Sequence, residues 1–362
     1  MTNKLNIKDL SWEDLNTLTQ QLELPKFRAE QIWRGLYQHL AISSEEMKLI
    51  PKVQRDLLDK NYRFNSFQSY KKFVSIDGSV KFLFELWDGE KVEAVYMPWH
   101  DEEGKLERAT ICVSSQIGCG LDCKFCATGT MGLTRNLKAS EIIDQIITCE
   151  KDLGITLTNI VFMGMGEPLL NFNNVMKSIE NLSGGPFKKF RRKRITVSTS
   201  GVIPGIRKLA ELQPPVKLAL SLHATTNGAR DKIIPLNQKS GGLNPLLLEI
   251  EKYYRKTKMP LTYEYIPFKG LNDTEQDAKR LAKIAKRVPS RVNLIPFNDI
   301  SFTEPTGISA SLRPVDDKKM NEFVNQIKSF GGVAIVRDTF GSDIDAACGQ
   351  LALSEKESTE NE

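Results

Sequence analysis

The sequence predicts an α/β protein built on a parallel sheet. Two observations carry this reading. From about Ala109 onward, short β-branched runs alternate with helical stretches. The chain also shows no internal repeat of short fixed period, and at 362 residues it allows one large domain, or a large one plus a small one. The runs are Thr110–Val113, Asn159–Met163, Ile195–Thr199, Val216–Leu222, Leu261–Ile266, Arg291–Ile295 and Val333–Val336. Helix candidates near Ser140–Cys149, Asn173–Leu182, Ile206–Leu212, Pro245–Tyr254, Thr274–Ala285 and Val315–Phe330 lie between them. Repeated β-α units imply a parallel sheet. An open doubly wound sheet and a full or partial barrel both satisfy this pattern. In either, ligands gather at the carboxyl ends of the strands.

The first ninety residues differ. Ser11 is a plausible N-cap for a helix over Trp12 to Gln21, because Asp14 stands three residues on. Phe27, Ile32, Leu36 and Leu40 suggest a second helix. Tyr70 to Leu86 alternates around Asp77-Gly78, a hairpin signal. The chain therefore divides into a small helical module with a β-extension over 1–90, a core over 91–352 and a disordered acidic tail over 353–362.

Composition narrows the class. Hydrophobic residues make up 40% and charged residues 26%, which excludes wholesale disorder and collagen-like structure. Six cysteines are too few for a secreted disulfide scaffold. The N-terminus lacks the apolar core of a signal peptide, and no apolar run is long enough to span a membrane. The expectation is a cytoplasmic protein with reduced thiols. The formal net charge is +5; Glu355 to Glu362 carry −3 of it, leaving about +8 for the rest. That excess permits a polyanionic partner.

Cys119, Cys123 and Cys126 form C-x3-C-x2-C in a glycine-containing loop just after the first core run. Three thiolates this close suit a [4Fe–4S] cluster with one iron left open to substrate. Zinc is the alternative, but structural zinc wants four ligands, and His39, His100 and His223 all lie outside the loop.

C-x3-C-x2-C is the signature of the radical S-adenosylmethionine (SAM) superfamily. The stretch from Gly118 to Gly129 resembles the dual-specificity RNA methyltransferases that act on adenine carbon 2. So do Met163 to Asn171, Ser198-Thr199-Ser200-Gly201, Ser221-Leu222-His223 and Asp343 to Leu351. The late Asp-Ala-Ala-Cys-Gly-Gln segment narrows the superfamily to that family. The resemblance implies a partial (β/α)6-type barrel, one [4Fe–4S] cluster per chain held by the three cysteines, and two SAM molecules per turnover. It implies a SAM pocket of Gly166, Glu167, Ser198, Ser221, Leu222, His223 and Asn298. A glycine at 166 would let backbone approach a ligand closely.

A lone cysteine is usually a small buried hydrophobe. Cys149, mid-helix, is left as that. The family gives Cys112 and Cys348 catalytic work. Adenine carbon 2 is an electron-poor amidine carbon, so polar methyl displacement there should fail. A thiolate is a good nucleophile. By resemblance, Cys348 takes a methyl from one SAM, and a radical from a second SAM removes a hydrogen from that methyl. The methylene radical joins the adenine in a protein–RNA crosslink. Glu93, carried over in Val92-Glu93-Ala94-Val95-Tyr96, accepts the carbon-2 proton. Cys112 then attacks the Cys348 sulfur, leaving a disulfide that a thiol reductant reopens. The implied partners are 23S rRNA and tRNA, with a flavodoxin-like electron donor, no membrane, and a monomeric enzyme.

Lys188-Lys189-Phe190-Arg191-Arg192-Lys193-Arg194 is the densest basic run. It is either a solvated loop or a phosphate contact. Lys26, Arg28 and Arg34 of the N-terminal module are weaker RNA contacts. Between Pro98 and Ala109 the chain looks several residues longer than in many relatives, which loosens the register of Glu93. Two competitors stand beside the carbon-2 enzyme. One is the sister group that methylates adenine carbon 8. The other is a non-catalytic zinc or iron–sulfur RNA-binding protein, which has no use for Cys112 or Cys348.

Overall fold

The computed structural model describes residues 4–356. Ten strands form one sheet: β1 (Phe67–Val74), β2 (Val80–Leu86), β3 (Lys91–His100), β4 (Leu106–Cys112), β5 (Asn159–Phe162), β6 (Ile195–Thr199), β7 (Lys217–Ser221), β8 (Leu261–Tyr265), β9 (Ser290–Leu294) and β10 (Ala334–Val336). Each strand neighbours its predecessor in sequence. β1 to β4 pair antiparallel, and β4 to β10 pair parallel. The parallel part follows from helical crossovers, as the alternating pattern predicts. Those helices are α4 (Ala139–Leu153), α5 (Phe172–Ser183), α6 (Ile203–Leu209), α7 (Leu243–Thr257), α8 (Glu275–Ala285) and α9 (Asp317–Ser329); they follow α1 (Trp12–Gln21), α2 (Phe27–Tyr37) and α3 (Lys52–Asn61).

The strands have two different faces. Ile160, Val197, Leu218, Leu220, Tyr263, Val292 and Leu294 are buried in the core. Burying one such side chain stabilises by roughly 1.5–3 kcal/mol. Residues of the opposite parity, Ser198, Ser221, Glu264 and Ile295, line a single cavity. Side chains on four strands can share one cavity only if the sheet curls, so the parallel half is a partial barrel.

The β-extension is continuous with that barrel. β1 and β2 form the expected hairpin around Asp77-Gly78, and β3 joins it to β4. The hydrogen-bonded ladder therefore runs straight through position 90. The helices of the first sixty residues dock on the outside. Ser11 caps α1 with a reciprocal capping box to Asp14. Lys8 meets Asp144 of α4 at 2.7 Å with both side chains fully buried, and Asn6 and Ser66 donate to the other Asp144 oxygen. Removing one member of such a pair leaves an uncompensated buried charge, costing about 3–5 kcal/mol. Asp144→Ala should therefore lower the urea midpoint clearly; an unchanged midpoint would show that the pair holds nothing.

Residues 337–356 run back over the open side of the sheet as a strap. Phe340 packs edge-on against Trp99. Leu353 donates its N–H to Glu93, and Ser354 accepts from Lys81 with both its carbonyl and hydroxyl. Glu355 pairs with Lys71. Residues 353–356, expected as the start of a disordered tail, are thus docked. The cause is the buried Lys81 ammonium, which needs acceptors once out of water. Positions 357–362 of that tail lie outside the described residues.

Candidate active site

The cysteine loop begins at Gly118, whose φ is +70° and where a Cβ would fall 1.9 Å from the Gly132 carbonyl oxygen. Only glycine lets the two arms of the loop close. Cys119 then donates its N–H to Gly132, Cys126 donates to Cys123, and Ala127 donates to Gly349 of the strap. All three cysteines line one cavity at the carboxyl ends of the strands. Burial pushes Cys119 up to about 12 and raises Cys123 and Cys126 as well. A cationic metal centre reverses that logic and deprotonates coordinating thiols outright. Among the described residues, no three His, Cys, Asp or Glu side chains close to the spacing of a single metal ion. The three thiols share one cavity wall, a donor set that suits an iron–sulfur cluster.

The remaining wall comes from strand ends. Gly166 has φ +95°, and a Cβ there would meet Gln116 at 2.5 Å, so the Gly-Glu turn packs directly against the strand before the cysteine loop. Glu167 is buried and accepts from the Ser200 and Leu169 amides at 2.8 and 3.1 Å. Burial nevertheless raises its carboxyl to about 7. The Ser198 and Ser221 hydroxyls stand 3.4 Å apart. His223 accepts at Nδ1 from the Ile266 amide, which leaves Nε2 to carry the proton. Burial and the Arg230 guanidinium hold its pKa down at about 3, so this imidazole is neutral.

A second cavity adjoins the first, lined by Cys112, Asn298, Arg337 and residues of the strap. The two share Met163, Ile295, Cys348 and Gly349. Cys348 therefore faces the cluster cysteines on one side and Cys112 on the other. Its carbonyl accepts from Asn298 Nδ2 at 3.0 Å. Enclosure by the cavity walls pushes the Cys348 thiol up to about 11 and Cys112 up to about 12, with Arg337 opposing both. All six cysteines are free thiols, so the Cys112–Cys348 bond implied by the resemblance is not part of this structure.

The comparisons with known proteins agree with this geometry. A family model described as the radical SAM superfamily matches residues 113–282. The chain is 39% identical to the dual-specificity RNA methyltransferase RlmN of Pelobacter propionicus over 97% of its length and 96% of that protein's. It is 40% identical to a probable RlmN of Cytophaga hutchinsonii, covering 96% and 93%. A radical SAM methyltransferase from Sphaerobacter thermophilus superposes with a TM-score of 0.89 at 35% identity, covering 97% and 100% of the two chains.

The chain belongs to the RlmN family of radical SAM RNA methyltransferases. Within that family frame, the SAM residues expected from sequence divide. Gly166, Glu167, Ser198, Ser221 and His223 line the first cavity. Leu222 is buried outside its wall, its carbonyl accepting from Arg230, and Asn298 lines the second cavity instead. Glu93 lines neither cavity. Its carboxylate is buried 3.3 Å from Lys81 and capped by the Leu353 amide. The burial that isolates it also raises its pKa, with Lys81 opposing. Cys149 is buried in α4, away from both cavities. No helix among the described residues is long and apolar enough to cross a membrane.

Three further residues shape the RlmN-type site: Ser200, inside the Ser-Thr-Ser-Gly segment but with no role assigned from sequence, and Arg230 and Arg337, which carried no motif. Ser200 sends its amide to Glu167 and its hydroxyl to within 3.8 Å of Cys123 Sγ. Arg230, fully buried, donates to the carbonyls of Ser200, Ser221 and Leu222, and so fixes two strand ends together. Arg337 reaches across the hollow to Met163 sulfur at 3.4 Å. A family-level cluster also makes a direct prediction. Cys123→Ala should lower iron bound after anaerobic reconstitution to a small fraction of the unaltered chain's. Full iron loading would remove Cys123 from the ligand set.

Proposed function

We propose that this enzyme methylates adenine carbon 2 in 23S rRNA and in tRNA, through an S-methylated Cys348 and a transient protein–RNA crosslink. The observation that carries the reading is the position of Cys348 on the shared wall of two cavities, one holding the three cluster cysteines and the other Cys112. Cys119, Cys123 and Cys126 would hold a [4Fe–4S] cluster, and Glu167, Ser198, Ser221 and His223 would surround SAM. When bound, the two supply the 5′-deoxyadenosyl radical.

The chain's own residues do the rest. As thiolate, Cys348 attacks the methyl of one SAM, forming a carbon–sulfur bond and releasing S-adenosylhomocysteine. Hydrogen abstraction by the radical turns that methyl into a methylene radical, which bonds to adenine carbon 2; the adduct then carries one electron in excess, and that electron would return to the cluster. Glu93 takes the carbon-2 proton in this reading. Because its carboxylate is tied to Lys81 and Leu353, it reaches the adduct only after residues 351–354 lift. Cys112 then attacks the Cys348 sulfur; the sulfur–carbon bond breaks with its electron pair left on the RNA methylene, which takes up a proton to become the methyl group, and the disulfide that forms is reduced by an external thiol. Asn298, bonded to the Cys348 carbonyl, steadies the strap between these two encounters. The helices of the first sixty residues, outside the site, are assigned to RNA engagement. The target base must be splayed out to reach the cavity.

The test is anaerobic turnover with SAM and RNA followed by nucleoside mass spectrometry. Methyl on carbon 2 supports the reading. Methyl on carbon 8 alone would transfer the enzyme to the other branch of this chemistry, and no methyl at all would reduce it to an RNA binder.

A further inference from the structure

The inner face of the curled sheet changes character below the cysteines. Arg108, Lys217 and Arg291 lie on β4, β7 and β9 four residues before Cys112, Ser221 and Ile295, and Arg194, immediately before β6, stands four residues before Ser198. Side chains alternate along a strand, so a spacing of four puts each cation on the cavity-lining face. At about 3.3 Å per residue they lie about 13 Å below the reactive layer. These four positions form a basic ring at the amino-terminal mouth of the partial barrel.

Several features mark it as a binding surface. Arg194, Lys217 and Arg291 are exposed, and none of the four has a carboxylate partner among the described residues. The buried Nε of Arg108 has no hydrogen-bond partner there either. Besides burial, Arg337, Arg291 and Arg194 depress the pKa of Arg108, and Arg291, Arg194 and Arg108 depress that of Lys217. Strands as far apart as β4 and β9, five places in the sheet, thus bring their cations within mutual range. Glu107 offsets part of the charge at Arg108, and the buried Glu264 lies within electrostatic range of Arg291; the remaining excess of like charge costs stability, a cost that a bound polyanion offsets. Trp99 lies opposite Arg108 in the β3/β4 ladder, with the guanidinium 4.1 Å from its ring.

The basic run of the sequence ends in this ring. Within it, Lys189 is paired with Glu150, Phe190 is buried, and Arg192 is bonded to Ser183 and the Pro214 carbonyl. That leaves Lys188, Arg191 and Lys193 exposed beside Arg194. The run leads into the amino-terminal end of β6, so it is remote from Cys348.

We propose that the ring is a phosphodiester-binding site that holds an arm of folded RNA distinct from the strand carrying the target adenine. A free small anion would favour a closed, desolvated niche, whereas three of these four side chains are exposed and lead on to the exposed Lys188, Arg191 and Lys193. The inference rests on the RNA-methylating reading and deepens it.

The test is RNA binding by the full chain over a range of salt. The triple variant Arg194→Gln, Lys217→Gln, Arg291→Gln should bind RNA about tenfold or more weakly and lower the salt slope by about 2, at about 0.7 per lost contact. A control triple at exposed Lys283, Lys286 and Lys318, on the outer helices, should change neither. Iron content and melting temperature report whether the ring variant is folded; because its three side chains are exposed and unpaired, both should be unchanged. If it proves unfolded, Trp99→Phe with Lys217→Gln, read by the same slope, takes its place. Unaltered affinity and slope in a folded ring variant would overturn the proposal. So would inorganic pyrophosphate binding that the triple variant loses while RNA binding persists, since the ring would then be a small-anion site. Carbon-2 product from a chain with an inert ring sinks this inference alone; absence of that product sinks the catalytic reading.

Discussion

Replacing Cys348 with alanine is expected to abolish RNA methylation, by about 10⁴-fold or more, while iron content and SAM binding persist. The size follows from chemistry. Carbon 2 of adenine cannot displace a methyl from SAM, so the sulfur is the route by which the methyl is activated. The side chain is also structurally cheap to remove, because the contact to Asn298 is made by the backbone carbonyl. A folding defect is therefore not expected. Retention of methylated RNA by Cys348→Ala, checked by nucleoside mass spectrometry, would remove the thiol from the reaction.

Cys112→Ala has the opposite signature. Methylation of Cys348 and attack on the adenine need no second thiol, so the variant should stop after the crosslink forms. Covalent protein–RNA adducts should then accumulate on denaturing gels, approaching one per chain, and multiple turnover should fall by about three orders of magnitude. Cys112 is well placed for release because it shares a cavity wall with Cys348. Its thiol is pushed up to about 12 by burial, so it attacks only once deprotonated, a step that the neighbouring Arg337 favours. Freely turning-over enzyme in this variant would end the resolving role.

Much of this site was readable because its signals are local. The cysteine triad spans eight residues, and the Gly-Glu, Ser-Thr-Ser-Gly and Ser-Leu-His segments each sit at one strand end. The alternation of β-branched runs with helices likewise placed every parallel strand. Helix α6 begins at Ile203, three residues before its expected start, because Pro204 falls in the first turn, where it needs no N–H acceptor. What the sequence did not reveal depends on contacts between distant segments. Glu93 is sealed by a residue 260 positions away. The Asn298 side chain serves the strap, a partner made only by the chain's return. The ring of Arg108, Arg194, Lys217 and Arg291 is invisible as a motif, since its members are 23 residues apart or more and meet only when the sheet curls. The conspicuous basic run, by contrast, spends Lys189 and Arg192 on holding its own loop.

The central claim is that the methyl group passes through carbon–hydrogen cleavage while it is attached to Cys348. Turnover with SAM bearing a trideuterated methyl tests it directly. The account predicts methyladenine carrying two deuteriums on its methyl, with the third found in 5′-deoxyadenosine. Methyladenine that retains all three would mean direct transfer, and would contradict the assigned role of Cys348.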